Sequence, residues 1–157
     1  MKNIYFYPSD IGKLGVVQEE QAITRIYFQN ENIPEDLIEF ETDLIKEAGQ
    51  QIQEYFAGKR KDFTIPLAPN GTPFMQSVWK ALIEIPYGET RSYKDVAESI
   101  ENPKAVRAVG MANNRNPLPI VIPCHRVIGA NGKLVGYGGG LDIKILLLDL
   151  EKKHGNI

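Results

Sequence analysis

One cysteine, Cys124, and two histidines, His125 and His154, are all the thiol and imidazole ligands in this 157-residue chain. No intramolecular disulfide can form, and a zinc cluster of cysteine and histidine cannot be assembled. No apolar run approaches the ~20 residues of a membrane-spanning helix, and the N-terminus lacks the basic-then-apolar pattern of a secretory signal. A free thiol without an export signal is expected in the reducing cytoplasm, away from membranes. Carboxylates, too, are missing from Asn102 to Leu141. That stretch holds Lys104, Arg107, Arg115, Arg126 and Lys133, so it carries +5 in a chain whose net charge is −2, and the remainder carries −7. A basic segment inside an acidic chain can supply the electrostatic footprint of nucleic-acid binding, although a charge gap also arises beside ordinary solvated faces.

What is present reads as an ordinary globular protein, 43% hydrophobic and 24% charged. Its length suits one compact domain, or a small domain beside a standard one. Residues 1 to about 30 have strand character: Ile4 to Tyr7 is aromatic-rich, and Gly12 to Val17 with Ala22 to Phe28 suggests a hairpin around Gln18 to Gln21. Leu44, Ile45, Ala48, Ile52, Tyr55 and Phe56 fall on one helical stripe that Gly58 can end, and Phe63 to Leu67 is expected to return as a strand. The turn-rich run Ala68 to Pro73 is the linker candidate, dividing the chain into 1–69, an α+β unit, and 70–157, a mainly helical one.

In the second part, Thr72 can cap a helix with Pro73 at its first position, and Phe74, Met75, Val78, Trp79, Leu82 and Ile83 form its apolar face, which is expected to be core. Ser92 and Asp95 have capping-box spacing and open a helix through Val96, Ala97 and Ile100. Asn102 and Pro103 are expected to start the next helix, running through Arg107 to about Ala112, which makes a helix-turn-helix. Ala105, Ala108, Gly110 and Ala112 keep that second helix lean, and Lys104 and Arg107 are its charges. A last helix, about Leu141 to Lys153, is nearly all apolar from Ile143 to Leu150 and is expected to be buried on most faces, with Gly155 beyond it.

The chemistry centres on Pro123-Cys124-His125-Arg126-Val127. A lone cysteine can be a small buried hydrophobe. With an imidazole and a guanidinium next to it, the thiol can instead be shifted toward neutrality and act as a nucleophile. On a strand the side chains of Cys124 and His125 would face opposite ways, so contact needs a bend or short helix at Pro123, or a bridging water. Glu151 can orient a base from the end of the last helix, or simply be solvated there. Asn116 can be a turn former before Pro117, Tyr93 a half-buried aromatic, and Arg107 a solvent-facing cation.

The run from Asn116 through Pro123-Cys124-His125-Arg126-Val127 to Gly136-Tyr137-Gly138-Gly139-Gly140-Leu141 closely resembles the active-site region of the O6-alkylguanine-DNA alkyltransferases, also called methylated-DNA–protein-cysteine methyltransferases. The similarity is continuous from about Thr72 to Glu151, roughly half the chain. It implies a small ribonuclease-H-like N-terminal domain and a helix-turn-helix C-terminal domain. The implied activity is irreversible, single-turnover transfer of the alkyl group of O6-alkylguanine, and of O4-alkylthymine, from DNA to Cys124, without cofactor or metal. The resemblance implies a relay of Cys124, a water, His125 and Glu151, with Asn116 tying the active-site turn to the helix-turn-helix. Tyr93 would rotate the 3′ phosphate and assist proton supply to the departing base, and Arg107 would fill the stack vacated by the flipped nucleotide. Tyr137, the carbonyls of Cys124 and Val127, and the Gly138 N–H would hold the base, with Asn113 on the pocket wall where some members place a bulky Met. Asn102, Lys104, Ala105, Ala108 and Gly110 would line the contact with the minor groove of double-stranded DNA. The resemblance further implies a monomer able to load cooperatively. Three other readings stand beside this one: a lesion-binding protein without repair chemistry, which in that group lacks the cysteine; a Cys-His hydrolase or acyltransferase; and a helix-turn-helix regulator with an incidental thiol.

Overall fold

The structure is a computed structural model that describes residues 1–134, 137 and 139–155. It divides into two compact units, Met1–Asn70 and Gly71–Ile157.

The first unit is a four-stranded sheet with one helix. The strands β1 (Lys2–Tyr7), β2 (Leu14–Glu19) and β3 (Ala22–Tyr27) form an antiparallel meander, and β4 (Ile38–Glu39) pairs parallel to β1, giving the order β3-β2-β1-β4. Hydrophobic pattern sets the register: Ile4 pairs with Val17, and Leu14, Val16, Val17, Ile23 and Ile26 all lie in the core. Helix α1 (Asp43–Phe56) covers the sheet with Ile45, Ala48, Ile52 and Tyr55. It ends as its sequence predicts, with Gly58 at φ +76° closing the last turn and Lys59 N–H donating to the Glu54 carbonyl at 2.8 Å. The expected strand Phe63 to Leu67 is instead a loop that makes a single parallel bridge, Leu67 to Ile23. Pro66 cannot donate to a ladder, which limits pairing there.

The second unit contains α2 (Pro73–Ile83), α3 (Tyr93–Ser99), α4 (Val106–Asn114), a 3-10 turn (Cys124–Arg126) and α5 (Leu141–His154). Thr72 caps α2 through its side chain, and Trp79, buried on that helix, donates Nε1–H to the Ala112 carbonyl of α4 at 2.9 Å. Two short strands, β5 (Arg91–Ser92) and β6 (Val127–Ile128), pair in parallel. Because β5 runs straight into α3 and β6 leaves straight from the 3-10 turn, this small ladder brings the N-terminus of α3 to the cysteine segment.

Three expectations need correction. Asn102 does not cap α4: its N–H closes α3, donating to the Ala97 carbonyl at 2.9 Å, while Glu101 at φ +59° donates to Glu98. The chain therefore turns from Asn102 to Ala105 before α4 begins at Val106, leaving Lys104 and Ala105 ahead of the helix. The apolar face of α2 is not wholly core, since Ile83 is exposed. Helix α5 buries only Lys144, Leu147 and Glu151, because one stripe of it packs on the 3-10 turn while its other apolar residues circle the helix. Among the described residues no helix is long and apolar enough to cross a membrane, and no group of His, Cys, Asp and Glu could hold a metal ion.

Candidate active site

The cysteine is delivered by a run of tight turns. Directly after α4, Asn116 donates from Nδ2 to the Ile122 carbonyl at 2.8 Å and accepts the Leu118 N–H at 2.9 Å. Its amide thus cinches the loop Asn116 to Ile122 to the end of the second helix. Ile120, buried and β-branched, is held at φ +75°, with Val121 N–H donating back to the Pro119 carbonyl at 2.9 Å. Such a backbone costs on the order of 1–3 kcal/mol and persists only where its surroundings over-determine it. Pro123 (φ −80°, ψ 64°) adds an inverse γ-turn, closed by the Cys124 N–H on the Ile122 carbonyl at 2.7 Å. The 3-10 turn that follows supplies the bend that adjacent side chains require, and Cys124, His125 and Arg126 are all buried.

Glu151, on α5 and 1% exposed, is the hub of this turn. Its Oε2 lies 2.5 Å from Nε2 of the fully buried His125. Arg126 grips the same carboxylate with a fork, Nε to Oε1 at 2.7 Å and Nη2 to Oε2 at 3.0 Å, and donates Nη1–H to the Ile85 carbonyl at 2.7 Å. Gly88 N–H adds a fourth interaction at 3.1 Å, from a residue whose φ of +81° suits glycine. Burial alone would raise the carboxyl pKa, but the His125 and Arg126 interactions outweigh it and hold Glu151 well below the usual carboxylate range. For His125 burial wins: its pKa is lowered despite Glu151, helped by the charges of Arg126 and Lys144. An ionised Glu151 accepts Nε2–H, so the neutral imidazole carries its basic lone pair on Nδ1.

The thiol itself is not pre-ionised. Burial pushes the Cys124 pKa up, against the opposing pull of hydrogen bonds from Asn116 and Tyr137 and of the Lys144 charge. Of the two readings that the local sequence left open, a thiol shifted toward neutrality by adjacent cations is not what the structure favours: desolvation dominates, and Arg126, two residues on, is engaged by Glu151. Tyr93, the first residue of α3, has its hydroxyl pKa raised by burial and by the cysteine's charge. Asn113 is buried on the inner face of α4 and donates from Nδ2 to the Cys124 carbonyl at 3.3 Å. The structure thus gathers Cys124, His125, Glu151, Asn116, Tyr93, Tyr137, Asn113 and Val127 in one place. Gly138 lies outside the described residues.

Two residues that the motif reading passed over belong here. Lys144 is fully buried on α5 and donates Nζ–H to the Val127 carbonyl at 2.7 Å. Met111 is 57% exposed on α4. The exposed stripe Lys104, Arg107, Ala108, Met111, Asn114 and Arg115 follows helical spacing, while Val109, Ala112 and Asn113 face inward. Gly110 lies against the Tyr93 ring, where an added Cβ would approach at 3.9 Å. The helix is therefore less lean than its alanines suggest. The exposed basic residues of the carboxylate-free segment number four rather than five, since Arg126 is buried.

Comparison with known proteins bears on both units. Residues 73–153 match the family described as 6-O-methylguanine DNA methyltransferase, DNA binding domain. Residues 4–69 match its ribonuclease-like domain. A methylated-DNA–protein-cysteine methyltransferase of Methanosarcina acetivorans is 52% identical over 149 residues, covering 92% of this chain and 95% of its own. The constitutive methylated-DNA–protein-cysteine methyltransferase of Bacillus subtilis is 51% identical, covering 90% of each. The crystal structure of Mycobacterium tuberculosis OGT in complex with DNA superposes with a TM-score of 0.91 at 43% identity, over 97% of this chain and 94% of that one.

Proposed function

This chain belongs to the 6-O-methylguanine DNA methyltransferase family, and on that footing we propose that it repairs alkylated DNA by moving the alkyl group of O6-alkylguanine onto Sγ of Cys124. The observation that carries the assignment to Cys124 is its turn: the only thiol in the chain sits beside an imidazole whose far nitrogen is locked on a buried, ionised carboxylate.

The chemistry follows from that arrangement. Because the thiol rests protonated, a base must take its proton when substrate is in place, and Nδ1 of His125 does so through a water. Glu151 stabilises the imidazolium that forms. The thiolate attacks the alkyl carbon, an S–C bond forms as the C–O6 bond breaks, and the base leaves with the bond electrons. It takes one proton, delivered by way of the Tyr93 hydroxyl, and is ordinary guanine again. The thioether has no release route, so each molecule acts once.

A thiolate cannot reach O6 inside the duplex, so the nucleotide must be flipped out, at a cost of a few kcal/mol. The exposed stripe of α4 supports minor-groove docking, with Arg107 entering the vacated stack and Lys104 and Arg115 on phosphates. The flipped base then lies among Tyr137, Asn113, and the carbonyls of Cys124 and Val127. A lesion binder without chemistry is not favoured, since it would have no use for a reactive thiol held in this way.

Intact-mass analysis after mixing the protein with a duplex containing O6-methylguanine tests the reading. One methyl group should appear on the protein, on the peptide that holds Cys124, and one equivalent of duplex should be consumed. Repeated turnover, or a methyl group on another residue, would overturn it.

A further inference from the structure

The carbonyl of Cys124 is already saturated. It accepts the Val127 N–H, which closes the 3-10 turn, and Nδ2–H of Asn113 at 3.3 Å. A carbonyl oxygen has two lone pairs, so both are engaged before any base arrives. Beside it lies an acceptor in the opposite condition. Asn113 is 2% exposed, and its Oδ1 has no hydrogen-bond partner among the described residues. We propose that Asn113 is a specificity-determining residue: its Oδ1 receives an amino hydrogen of the flipped guanine, in place of the Cys124 carbonyl.

The neighbouring carbonyl fixes which way the amide points. Oxygen and nitrogen of a carboxamide are told apart by the bonds they make. Only the nitrogen can face the Cys124 carbonyl, since two acceptors would repel each other, and Oδ1 is the edge left over. Asn113 shares its face of α4 with Val109 and Ala112, which places the amide in the interior and away from the exposed stripe.

Buried acceptors are nearly always paired, and an exception asks for an explanation. Packing gives none, because leucine has almost the same shape and would leave nothing unpaired. Bracing the turn gives none either, because that takes Nδ2 alone. The substrate supplies one. An alkyl group on O6 removes the N1 hydrogen of guanine and leaves the exocyclic amine as the donor of its pairing edge. That amine has two hydrogens. The Val127 carbonyl, which Lys144 Nζ engages at 2.7 Å, has a second lone pair for one of them, and Oδ1 of Asn113 takes the other. The acceptor has thus moved from the backbone to a side chain, and selection for the amine becomes open to substitution. A purine without that amine would leave Oδ1 desolvated and unpaired, and a site built to bond an N–H rejects an analogue that lacks it. The inference rests on the repair reading for its substrate.

The test compares single-turnover transfer from two duplexes of one sequence. One holds O6-methylguanine and the other O6-methylhypoxanthine, which lacks only the 2-amino group. The two lesions differ in how readily they flip, but that difference is common to wild type and variant and cancels when their rate ratios are compared. The wild-type protein should favour the guanine duplex. In Asn113→Leu the guanine-to-hypoxanthine ratio should fall about tenfold, the worth of one buried hydrogen bond, mostly through a slower guanine reaction. Asn113→Ala should do the same. An unchanged ratio in either folded variant, equal losses on both duplexes included, would overturn the proposal and leave Asn113 as a brace of the turn. Should neither variant fold, Cys124→Ser decides, since it binds the lesion without consuming it. Its Asn113 side-chain amide resonance should shift with the guanine duplex and much less with the hypoxanthine one, and equal shifts would overturn the proposal. Wild-type transfer from neither duplex would remove the repair reading and this inference with it. Transfer from both, at a ratio indifferent to residue 113, would remove this inference alone.

Discussion

Oε2 of Glu151 lies 2.5 Å from Nε2 of His125, and neither side chain has more than 1% of its surface in solvent. The same carboxylate holds the Arg126 fork. Removing it therefore does two things at once: it frees the tautomer of the imidazole and strands a buried guanidinium. Glu151→Gln should slow alkyl transfer and raise the pH at which Cys124 reacts. It should also destabilise the fold by about 3–5 kcal/mol, the cost of breaking a buried ion pair from one side. Urea unfolding and single-turnover kinetics read the two effects separately. If His125→Ala and Glu151→Gln gave additive losses of transfer in the double variant, the two residues would not be working as a unit.

The same pair makes stability depend on pH with a definite sign. The His125 pKa is lowered in the fold, so protonation favours the unfolded chain, and stability should begin to fall as the pH drops below the ordinary value of 6.5. The Glu151 pKa is lowered as well, so its contribution is complete above 4.5 and is lost as the pH falls toward about 2. Both losses run the same way. Denaturant midpoints measured from neutral pH downward should decline steadily, and a Glu151→Gln variant should show a shallower decline below pH 5. A wild-type profile flat to acid would contradict the locked pair.

Cys124→Ser should abolish transfer while leaving affinity for duplex DNA almost unchanged. The hydroxyl fills the same space but is a far weaker nucleophile at neutral pH. The basic stripe of α4 does not involve residue 124. Loss of binding in parallel with transfer, by gel shift or anisotropy, would mean that the turn itself shapes the DNA-facing surface.

Much of this site was legible because its signals are local. Thr72 with Pro73, and Ser92 with Asp95, cap α2 and α3 as their spacing predicts. The need for a bend at Pro123 followed from the alternation of side chains along a strand, and the 3-10 turn supplies it. What escaped the sequence depends on partners distant in the chain. Asn102 reads as an N-cap until its N–H is seen to be spent on Ala97. Lys144 carries no signal of its own inside an apolar helix, because nothing near it in sequence announces that Val127 will meet its ammonium. The single stripe buried on α5 follows from one packed neighbour, whereas its composition suggests burial all round.

The turn between α3 and α4 offers a prediction about stability. Glu101 occupies, at φ +59°, the position that Gly58 fills after α1, and both turns close with the same pair of backbone hydrogen bonds. A side chain in the left-handed region costs roughly 1–2 kcal/mol, which glycine avoids. Glu101→Gly should stabilise the protein by about 1 kcal/mol in chemical denaturation, less whatever glycine loses in the unfolded chain. It also removes a carboxylate three residues before Lys104, so DNA affinity should rise slightly at low salt. A destabilised variant would mean that the Glu101 side chain makes a contact that outweighs its backbone strain.

Arg107 separates flipping from affinity. It is exposed near the start of α4, one turn before Met111 on the same face. An extruded base leaves a gap in the stack that this side chain can occupy. Arg107→Ala should lower the transfer rate on duplex DNA much more than on free O6-benzylguanine, which needs no extrusion. Equal losses on both substrates would place Arg107 in the pocket or the fold instead.

Salt dependence measures how many cations meet phosphate. Of the five basic residues between Asn102 and Leu141, Arg126 is neutralised by Glu151 inside the turn, while Lys104, Arg107, Arg115 and Lys133 stay exposed. If Arg107 enters the stack, three remain, and each phosphate contact adds roughly 0.9 to the slope of log affinity against log salt. A slope of about 2 to 3 is therefore expected for a non-specific duplex, with little dependence on sequence. Lys133→Ala and Arg115→Ala should each reduce it by nearly one if both side chains touch phosphate. A slope near zero would mean that the −7 carried by the rest of the chain cancels the patch, and the α4 face could not be the surface that meets DNA.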